Sequence, residues 1–280
     1  EAQDLPPEYI QAFAKIMGTT HFDTYIIGDK LQSILEKNNV FTHFIKKHKN
    51  KDNIIFNIGM NHVKRFHNNQ FIDFVNNHVK FEKYGLEPIQ KICDKIDCVQ
   101  THKDNEKPYE IFEIPEIYGE LYNDNDEKND ENYEKVNSVI KHIIKAMDKQ
   151  IKNNNYLPED FMFIFPLIKK NYLARMLEEK IQQFWLDKFK DETYKTKVLN
   201  KNNYWKDKID ENIYYKFAHL HFSTEGKPIN LDESKHATRM VSIHASKGDG
   251  RNVVFLLGIS EFSLSIFNKD MYCEEKDNLI

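Results

Sequence analysis

The spacing of apolar residues along the chain predicts four amphipathic helices. Apolar side chains recur every three or four residues, which places them on one face of a helix. The four faces consist of Tyr9, Ile10, Phe13, Ile16 and Met17; of Phe71, Phe74, Val75 and Val79; of Val136, Val139, Ile140, Ile143, Ile144, Met147 and Ile151; and of Leu173, Met176, Leu177, Ile181, Phe184 and Trp185. Pro6 and Pro7 suit the first turn of the first helix, Asn68 suits the N-cap of the second, and residues 153–155 would end the third. We expect each apolar face to be buried.

Shorter apolar runs between these helices predict β-strands. The runs cover residues 24–27, 54–58, 161–165, 240–243 and 253–257, and residues 109–118 and 214–222 alternate well enough for two further strands. Pro115 would keep the strand at 109–118 at the edge of a sheet. Strands that alternate with helices are typical of an α/β protein with parallel sheets flanked by helices.

A polar turn separates the two strands predicted at 240–243 and 253–257. His244, Ser246 and Lys247 can donate hydrogen bonds to phosphate oxygens. Gly248 and Gly250 allow positive φ angles, which bring backbone amides close to an anion. The composition of this turn indicates phosphate contact, although an ordinary connecting turn can have the same composition.

Overall composition narrows the possible functions. A net charge of −4 and a pI near 6.3 argue against nucleic-acid binding by bulk positive charge, so any such binding needs a local groove. No apolar run approaches the ~20 residues of a membrane span, and no signal-peptide pattern opens the chain. Three cysteines, an odd number, favour a reducing compartment. We expect an intracellular protein, cytoplasmic or nuclear.

Two groups of potential metal ligands are better explained without a metal. His219 and His221 would lie on the same face of one strand, and we expect them to be paired and to face solvent. Cys93, Cys98 and His102 lack an apparent fourth ligand, so the cysteines are interpreted as free thiols. No metal site is predicted from these residues.

The order of residues in the polar turn resembles a helicase motif. Ser-Ile-His-Ala-Ser-Lys-Gly at 242–248, followed by an apolar strand, is similar to motif V of UvrD/Rep-like superfamily 1 DNA helicases. Upstream, residues 1–4 (Glu-Ala-Gln-Asp) resemble the end of motif II, and Gly-Asp-Lys-Leu-Gln-Ser-Ile at 28–34 resembles motif III. Residues 61–76 resemble the family segment that carries a phosphate-binding arginine. The segments occur in the order that the family requires.

The resemblance implies an ATP site shared by distant parts of the sequence. It gives Glu1 the task of activating the attacking water, while Gln32 and Arg65 would contact the γ-phosphate. The same resemblance places Gly28, Asp29, Lys247 and Gly248 around the nucleotide. In the family a glutamate holds the ribose hydroxyl, and Gly250 occupies its usual position here. Asp249, one residue earlier, would replace it. ATP and Mg²⁺ are the implied cofactors, with the main Mg²⁺ ligands outside these 280 residues.

The DNA contacts implied by the resemblance are Ser33, His244, Ser246 and Arg251. The chain departs from the family in two places that concern aromatic stacking: Lys64 stands where a tyrosine stacks on adenine, and Leu35 stands where an aromatic residue is expected. No Gly-x-x-x-x-Gly-Lys-[ST] motif occurs, so we predict that this chain alone does not hydrolyse ATP.

The expected domains follow from the motifs. Residues 1–57 would be the C-terminal part of a first RecA-like domain. Residues 58–280 would be the second, with motif V at 240–258 and a small insertion at about 186–235. Within the insertion, Lys195, Lys197, Lys201, Lys206 and Lys208 alternate with Tyr194, Tyr204 and Trp205. This pattern fits either a single-strand grip or a solvated helix face with anchoring rings.

The implied function is an ATP-dependent DNA helicase or translocase acting on single-stranded or partly duplex DNA, with 3′→5′ polarity by analogy. The alternative is a non-catalytic nucleic-acid-binding or scaffolding relative of helicases. Frequent Asn, Lys and Ile are typical of an AT-rich genome, such as that of a large DNA virus, in which case the viral factory is the expected location.

Overall fold

The computed structural model describes residues 5, 7–19, 27–28, 62–63, 69–84, 87–91, 130–169, 171–201, 204–205, 208, 215–222 and 229–259. The chain divides into two compact units, one formed by Glu1–Phe112 with Phe267–Ile280 and the other by Glu113–Ile266. The domain boundary expected after residue 57 lies outside the described residues and stays a prediction.

The described part of the first unit contains two helices and a pair of short strands. Its elements are α1 (Pro7–Thr19), β1 (His62–Val63), α2 (Asn69–His78), a 3₁₀ helix (Phe81–Tyr84) and β2 (Gln90–Lys91). Strands β1 and β2 are parallel. The side chain of Asn76 fixes α2 to the segment before β2, because it donates to the carbonyl oxygen of Ile89 at 3.0 Å and accepts from the amide of Ile89 at 2.9 Å.

The predicted helices of the first unit are present, but the predicted burial is partly wrong. On α1, Ile10 is buried, whereas Tyr9, Phe13 and Ile16 are exposed by 60%, 45% and 46%. Ile27, expected to end a buried strand, is 71% exposed. On α2 the buried side chain is Ile72, which lies beside the predicted face. The sequence pattern therefore identified these helices better than it identified their contacts.

The second unit contains a parallel sheet flanked by helices. Its elements are α3 (Asp130–Asn154), a 3₁₀ helix (Pro158–Asp160), β3 (Phe161–Phe165), α4 (Tyr172–Lys190), α5 (Glu192–Lys201), β4 (Ala218–Leu220), a 3₁₀ helix (Leu231–Ser234), β5 (Thr238–Ser242) and β6 (Val253–Leu256). The strand order is β4-β5-β3-β6, and every pair is parallel. This arrangement confirms the predicted α/β class.

The core of the second unit lies between the sheet and helix α4. Trp185 of α4 is fully buried, packs its ring 5.7 Å from Phe161 of β3, and donates through Nε1 to Thr238 Oγ1 of β5 at 2.8 Å. The apolar faces predicted on α3 and α4 are largely confirmed, since Val136, Val139, Ile140, Ile143, Met147, Ile151, Leu173, Leu177 and Ile181 are also buried. Burial of these faces stabilises the unit by removing apolar surface from water.

The aromatic residues of the expected insertion belong to this core. Trp205 is fully buried, and its indole packs beside Phe189 and Phe217 with ring centroids at 5.2 and 5.5 Å. Tyr194 is 9% exposed and donates to the carbonyl oxygen of Tyr156 at 3.0 Å. These rings are not available to stack on bases, so the structure favours the alternative of anchoring rings over a single-strand grip.

Helix α4 also covers the outer edge of the sheet at β4. The Oε1 atom of Gln182 accepts from the amides of Phe217 and Ala218 at 2.7 and 3.1 Å. Glu178 Oε1 accepts from the amide of Leu220 at 2.9 Å. An exposed strand edge would offer these amides to another chain, and the two side chains occupy them instead.

Among the helices in the described ranges, none combines the length and the apolar character that a membrane span requires.

Candidate functional site

Residues 242–248 form a single helical turn that begins at Ser242, the last residue of strand β5. Ser242 begins it, because its Oγ accepts from the amide of Ala245 at 3.3 Å and its carbonyl oxygen accepts from the amide of Ser246 at 3.0 Å. Gly248 ends it with a φ of 76°, the left-handed conformation that glycine adopts at low cost. Gly250 was expected to have a positive φ as well, but Gly248 and Gly258 are the glycines with positive φ in the described ranges. The predicted turn is thus present, with one of its two glycines in the expected conformation.

This turn lies at the carboxyl end of the sheet. Ser242 is opposite Phe165, the last residue of β3, and the amide of Ile243 donates to the carbonyl oxygen of Phe165 at 2.9 Å. In open parallel sheets, ligands bind outside the carboxyl ends of the strands. The polar turn therefore occupies the end of the sheet at which such folds carry their binding sites.

A cavity adjoins the turn. It has a volume of about 350 Å³ and is lined by Ile229, Leu231, Ser242, His244 and Ala245. His244 is exposed, while Ser246 and Lys247 are partly buried. The hydroxyl of Ser246 donates to the carbonyl oxygen of Ile243 at 2.8 Å, so its hydrogen is already used within the turn. The imidazole of His244 is thus the most accessible of the predicted phosphate-binding side chains.

Residues 243–252 then cross the sheet to its opposite end. Val253, the first residue of β6, pairs with Phe161, the first residue of β3. The chain must therefore travel from the carboxyl end of β5 to the amino end of β6, passing β3. This connection is shorter than the dozen or more residues that parallel crossovers usually need. Because the connection runs from the carboxyl end of β5 to the amino end of β6, its first and last residues lie at opposite ends of the sheet.

Asp249 lies on this crossover and forms an ion pair with Arg239 of β5. Arg239 is 7% exposed, and it also donates through Nε to Ser234 Oγ at 2.7 Å and through Nη2 to the carbonyl oxygen of Leu231 at 2.8 Å. The role of Asp249 in holding a ribose hydroxyl stays a prediction. The observed partner of its carboxylate is the guanidinium group of Arg239.

Arg251 lies at the amino end of the sheet. Its guanidinium donates to the carbonyl oxygens of Glu159, just before β3, and of Ser234 and Lys235, just before β5. Its neighbour Asn252 donates to Asp160 Oδ1 at 2.5 Å. Burial lowers the pKa of the Arg251 guanidinium. The structure thus separates Arg251 from the turn with which the sequence grouped it.

The structure places some of the predicted site residues together and separates others. His244, Ser246, Lys247 and Gly248 come together in one turn, Asp249 follows it, and Arg251 lies at the other end of the sheet. In the first unit, Gly28 is exposed. The remaining predicted residues, Glu1, Asp29, Gln32, Ser33 and Arg65, lie outside the described residues, as do all three cysteines. Their roles stay predictions.

Sequence reasoning missed a buried polar cluster beside Arg239. His221, expected to face solvent, is 4% exposed, and its Nε2 lies 2.7 Å from Ser234 Oγ. His219 Nε2 lies 3.1 Å from Glu233 Oε2, and the two imidazole centroids are 4.3 Å apart. The expectation of a solvent-facing pair is wrong because the 3₁₀ helix 231–234 packs over this part of the sheet. The signal in the sequence was Arg239 itself, a charged residue directly before the apolar residues Met240 and Val241.

In the part of the chain that the structure describes, the two histidines of this cluster are not part of a group of side chains that could hold a metal ion. Burial lowers the pKa of His221 to about 4, and burial also lowers the pKa of His219. Ser234 Oγ donates to the carbonyl oxygen of Leu231 at 3.1 Å, so it accepts from both Arg239 and His221 when all three bonds form. Within the described ranges, no group of three or more His, Cys, Asp or Glu side chains could hold a metal ion.

The chain is an α/β protein with a four-stranded parallel sheet and a polar turn at the carboxyl end of that sheet. Comparison with protein-family models, curated proteins and solved structures found no match. The candidate site is therefore supported by its own residues and geometry.

Proposed function

We propose that this chain is part of an ATP-dependent DNA helicase or translocase that moves 3′→5′ along single-stranded DNA, and that its second unit is part of the second RecA-like domain expected at residues 58–280. The observation that carries the proposal is the position of the motif V-like turn. Residues 242–248 start at the last residue of a buried parallel strand, at the end of the sheet where nucleotide-binding folds carry their ligands.

The chemistry of the turn supports contact with phosphate groups. His244 is exposed next to a cavity of about 350 Å³, and its imidazole can donate to a phosphate oxygen. Lys247 supplies a positive charge on the same turn, directly before the positive-φ Gly248. We assign His244 and Ser246 to the DNA backbone, and Lys247 and Gly248 to the phosphates of ATP. Ser246 would have to release its bond to Ile243 in order to donate to DNA.

The remaining steps of the proposed mechanism use residues of the first unit. Glu1 would deprotonate the attacking water, and Gln32 and Arg65 would contact the γ-phosphate. Arginine suits that task because its planar group stays charged and binds phosphate oxygens in a bidentate manner. Mg²⁺, held mainly by residues outside this chain, would neutralise phosphate charge, and domain closure on ATP would advance the protein along the strand.

Arg251 is not included in the proposed DNA site. Its donors are directed to three backbone carbonyl groups at the amino end of the sheet. Arg251 therefore has a structural role that accounts for its charge. The proposed DNA contacts in the second unit are limited to the turn.

Binding of single-stranded DNA tests the proposal on the 280-residue chain. A labelled oligothymidine is titrated at low ionic strength, where phosphate contacts are weakly screened, and its fluorescence anisotropy is followed. His244→Ala should weaken binding about 5- to 10-fold, which corresponds to about 1 kcal/mol, the usual net contribution of one hydrogen bond. His142→Ala, an exposed histidine on α3, is the matched control and should bind within about 2-fold of wild type. Equal effects of the two substitutions, or no binding by the wild type, would count against the proposal.

The rival proposal is a non-catalytic nucleic-acid-binding or scaffolding relative. The coding sequence upstream of Glu1 separates the two, because the enzyme requires an aspartate directly before Glu1 and a phosphate-binding loop farther upstream. In a longer protein that has both, Arg65→Ala should abolish ATP hydrolysis and leave single-strand binding nearly intact. Absence of both features, together with DNA binding by the turn, would favour the rival.

A further inference from the structure

Arg239 is a buried charged residue in the centre of the four-stranded sheet. Its neighbours along β5, Met240 and Val241, are fully buried. Moving a guanidinium out of water is costly, and apolar replacements of buried ion pairs are often neutral or stabilising. Stability alone is therefore a weak reason for an arginine at this position. A geometric role accounts better for its presence.

The contacts of Arg239 join three segments. Nε reaches Ser234 Oγ, Nη2 reaches the carbonyl oxygen of Leu231, and Nη1 reaches the carboxylate of Asp249. Ser234 Oγ is also bonded to His221, which follows β4. Strand β5, the 3₁₀ helix 231–234 and the crossover are thus held to one guanidinium group.

Asp249 is the residue directly after the turn. At the entry to the turn, the amide of Ile243 is bonded to β3. At the exit, the amide of Asp249 donates to the carbonyl oxygen of Ser246 at 3.1 Å, and the carboxylate of Asp249 is bonded to Arg239. Side-chain packing at the next position adds little, since no atom lies within 4 Å of the place where a Cβ at Gly250 would be. The ion pair thus ties the exit of the turn to strand β5.

We propose that Arg239 and Asp249 are positioning residues, whose ion pair holds the turn 242–248 in the conformation that binds the DNA backbone. This inference rests on the proposed function for its DNA-binding half. It changes the role of Asp249 from a nucleotide ligand to a support of the turn. Neither residue needs to touch DNA for its loss to weaken binding.

Asp249→Asn tests the pair, because it removes the charge and keeps the shape. We expect the 280-residue chain to bind oligothymidine about 5- to 10-fold more weakly. Asp249→Glu restores a carboxylate and should recover at least half of the lost affinity on a logarithmic scale. The matched control is Asp187→Asn, which removes an exposed carboxylate that lies 2.9 Å from Lys190 on α4. The control should bind like wild type.

A second measurement follows the turn itself without any ligand. The chain has 9 glycines, and Gly248 is the one that follows a lysine. Labelling lysine with ¹³C at the carbonyl and glycine with ¹⁵N therefore selects the Gly248 amide in a carbonyl-filtered NMR spectrum. Asp249→Asn should move this signal, Asp249→Glu should move it less, and Asp187→Asn should leave it in place.

The outcomes separate the two proposals. A moved Gly248 signal with weakened binding supports the positioning role, and an unmoved signal with wild-type affinity overturns it. A wild-type chain that does not bind oligothymidine overturns the proposed function. In that case the Gly248 signal decides whether the pair holds the turn. If Asp249→Asn fails to fold, as judged by circular dichroism, Asp249→Glu and Arg239→Lys are compared instead. If both of these variants bind oligothymidine with wild-type affinity and leave the Gly248 signal unmoved, the inference is overturned.

Discussion

The two ends of the four-stranded sheet differ in how their polar groups are used. At the amino end, polar side chains are bonded to the protein: Arg251 to backbone carbonyl groups, Thr238 Oγ1 to the carbonyl oxygen of Pro158 at 3.1 Å, and Trp205 Nε1 to the carboxylate of Glu159 at 3.2 Å. At the carboxyl end, the crossover begins with a polar turn in which His244 is exposed beside a cavity.

This difference indicates a division of tasks along the strands. Groups that are already bonded to the protein contribute to stability, and little of their bonding capacity is left for a ligand. The exposed imidazole of His244 and the neighbouring Lys247 are of a chemical type suited to an anion. We therefore expect substitutions at the amino end and in the core to change stability, and substitutions in the turn to change binding.

The largest expected effect is that of Trp185→Ala, in the core below the sheet. The substitution leaves a cavity beside Phe161 and removes the donor to Thr238 Oγ1. We expect a loss of about 4 kcal/mol in the free energy of unfolding, which is typical of a buried tryptophan. Urea denaturation followed by circular dichroism measures it. A loss below about 1 kcal/mol would show that this helix is not packed on the sheet as described.

The next largest change in stability is expected from a pair of substitutions that compares the two ends of the sheet directly. Arg251→Met removes the donors to the carbonyl oxygens of Glu159, Ser234 and Lys235, and should cost about 2 kcal/mol in the free energy of unfolding. Lys247→Met makes the same change of a cation to methionine in the turn, and should cost at most about 1 kcal/mol, because Lys247 is partly exposed to solvent. Urea denaturation of both variants tests the contrast. Equal losses would remove the distinction between the ends.

The affinity for oligothymidine sharpens the same contrast. Under conditions in which Arg251→Met remains folded, it should bind as wild type does. A loss of affinity as large as that of His244→Ala would return Arg251 to the DNA site.

A further effect on stability is expected from acid, through the buried cluster beside Arg239. Burial lowers the pKa of His221 from 6.5 to about 4, with a further contribution from the charges of His219, Arg239 and Lys216. Between these pH values the unfolded chain binds a proton at this residue and the folded chain does not, so stability falls as pH falls from 6.5 towards 4. The loss should be on the order of 2 kcal/mol.

The acid effect is measured by urea denaturation at several pH values for wild type and His221→Gln. The glutamine keeps an N–H donor for Ser234 and does not titrate. Wild type should therefore lose more stability than the variant over this range. Parallel curves for the two proteins would contradict the assignment of this loss to His221.

Much of the fold was predictable because its signals are local. The apolar faces of α3 and α4 indicate which side of each helix is buried, and the apolar runs at β3, β5 and β6 indicate strands, as the structure confirms. Burial of β6 is partial, since Val254 and Leu256 are exposed. The turn at 242–248 was also predictable, since Ser242, His244 and Gly248 lie close together in the sequence.

The partners of polar residues could not be predicted in the same way. The strand order β4-β5-β3-β6 differs from the order along the chain, so the sequence does not show that Arg239 meets Asp249 or that Arg251 reaches the start of β3. The same limit explains why His221 was expected to face solvent. Its burial depends on the 3₁₀ helix 231–234, which comes later in the chain.

The most direct test of the central claim is the response of the Gly248 amide to single-stranded DNA. Oligothymidine is added to the wild-type chain labelled with lysine carbonyl ¹³C and glycine ¹⁵N, and anisotropy measures binding on the same samples. If the turn binds the DNA backbone, the Gly248 signal moves with the bound fraction and reaches a plateau when binding is complete. Saturated binding with an unmoved Gly248 signal would contradict this claim, because the DNA would then be bound elsewhere on the protein.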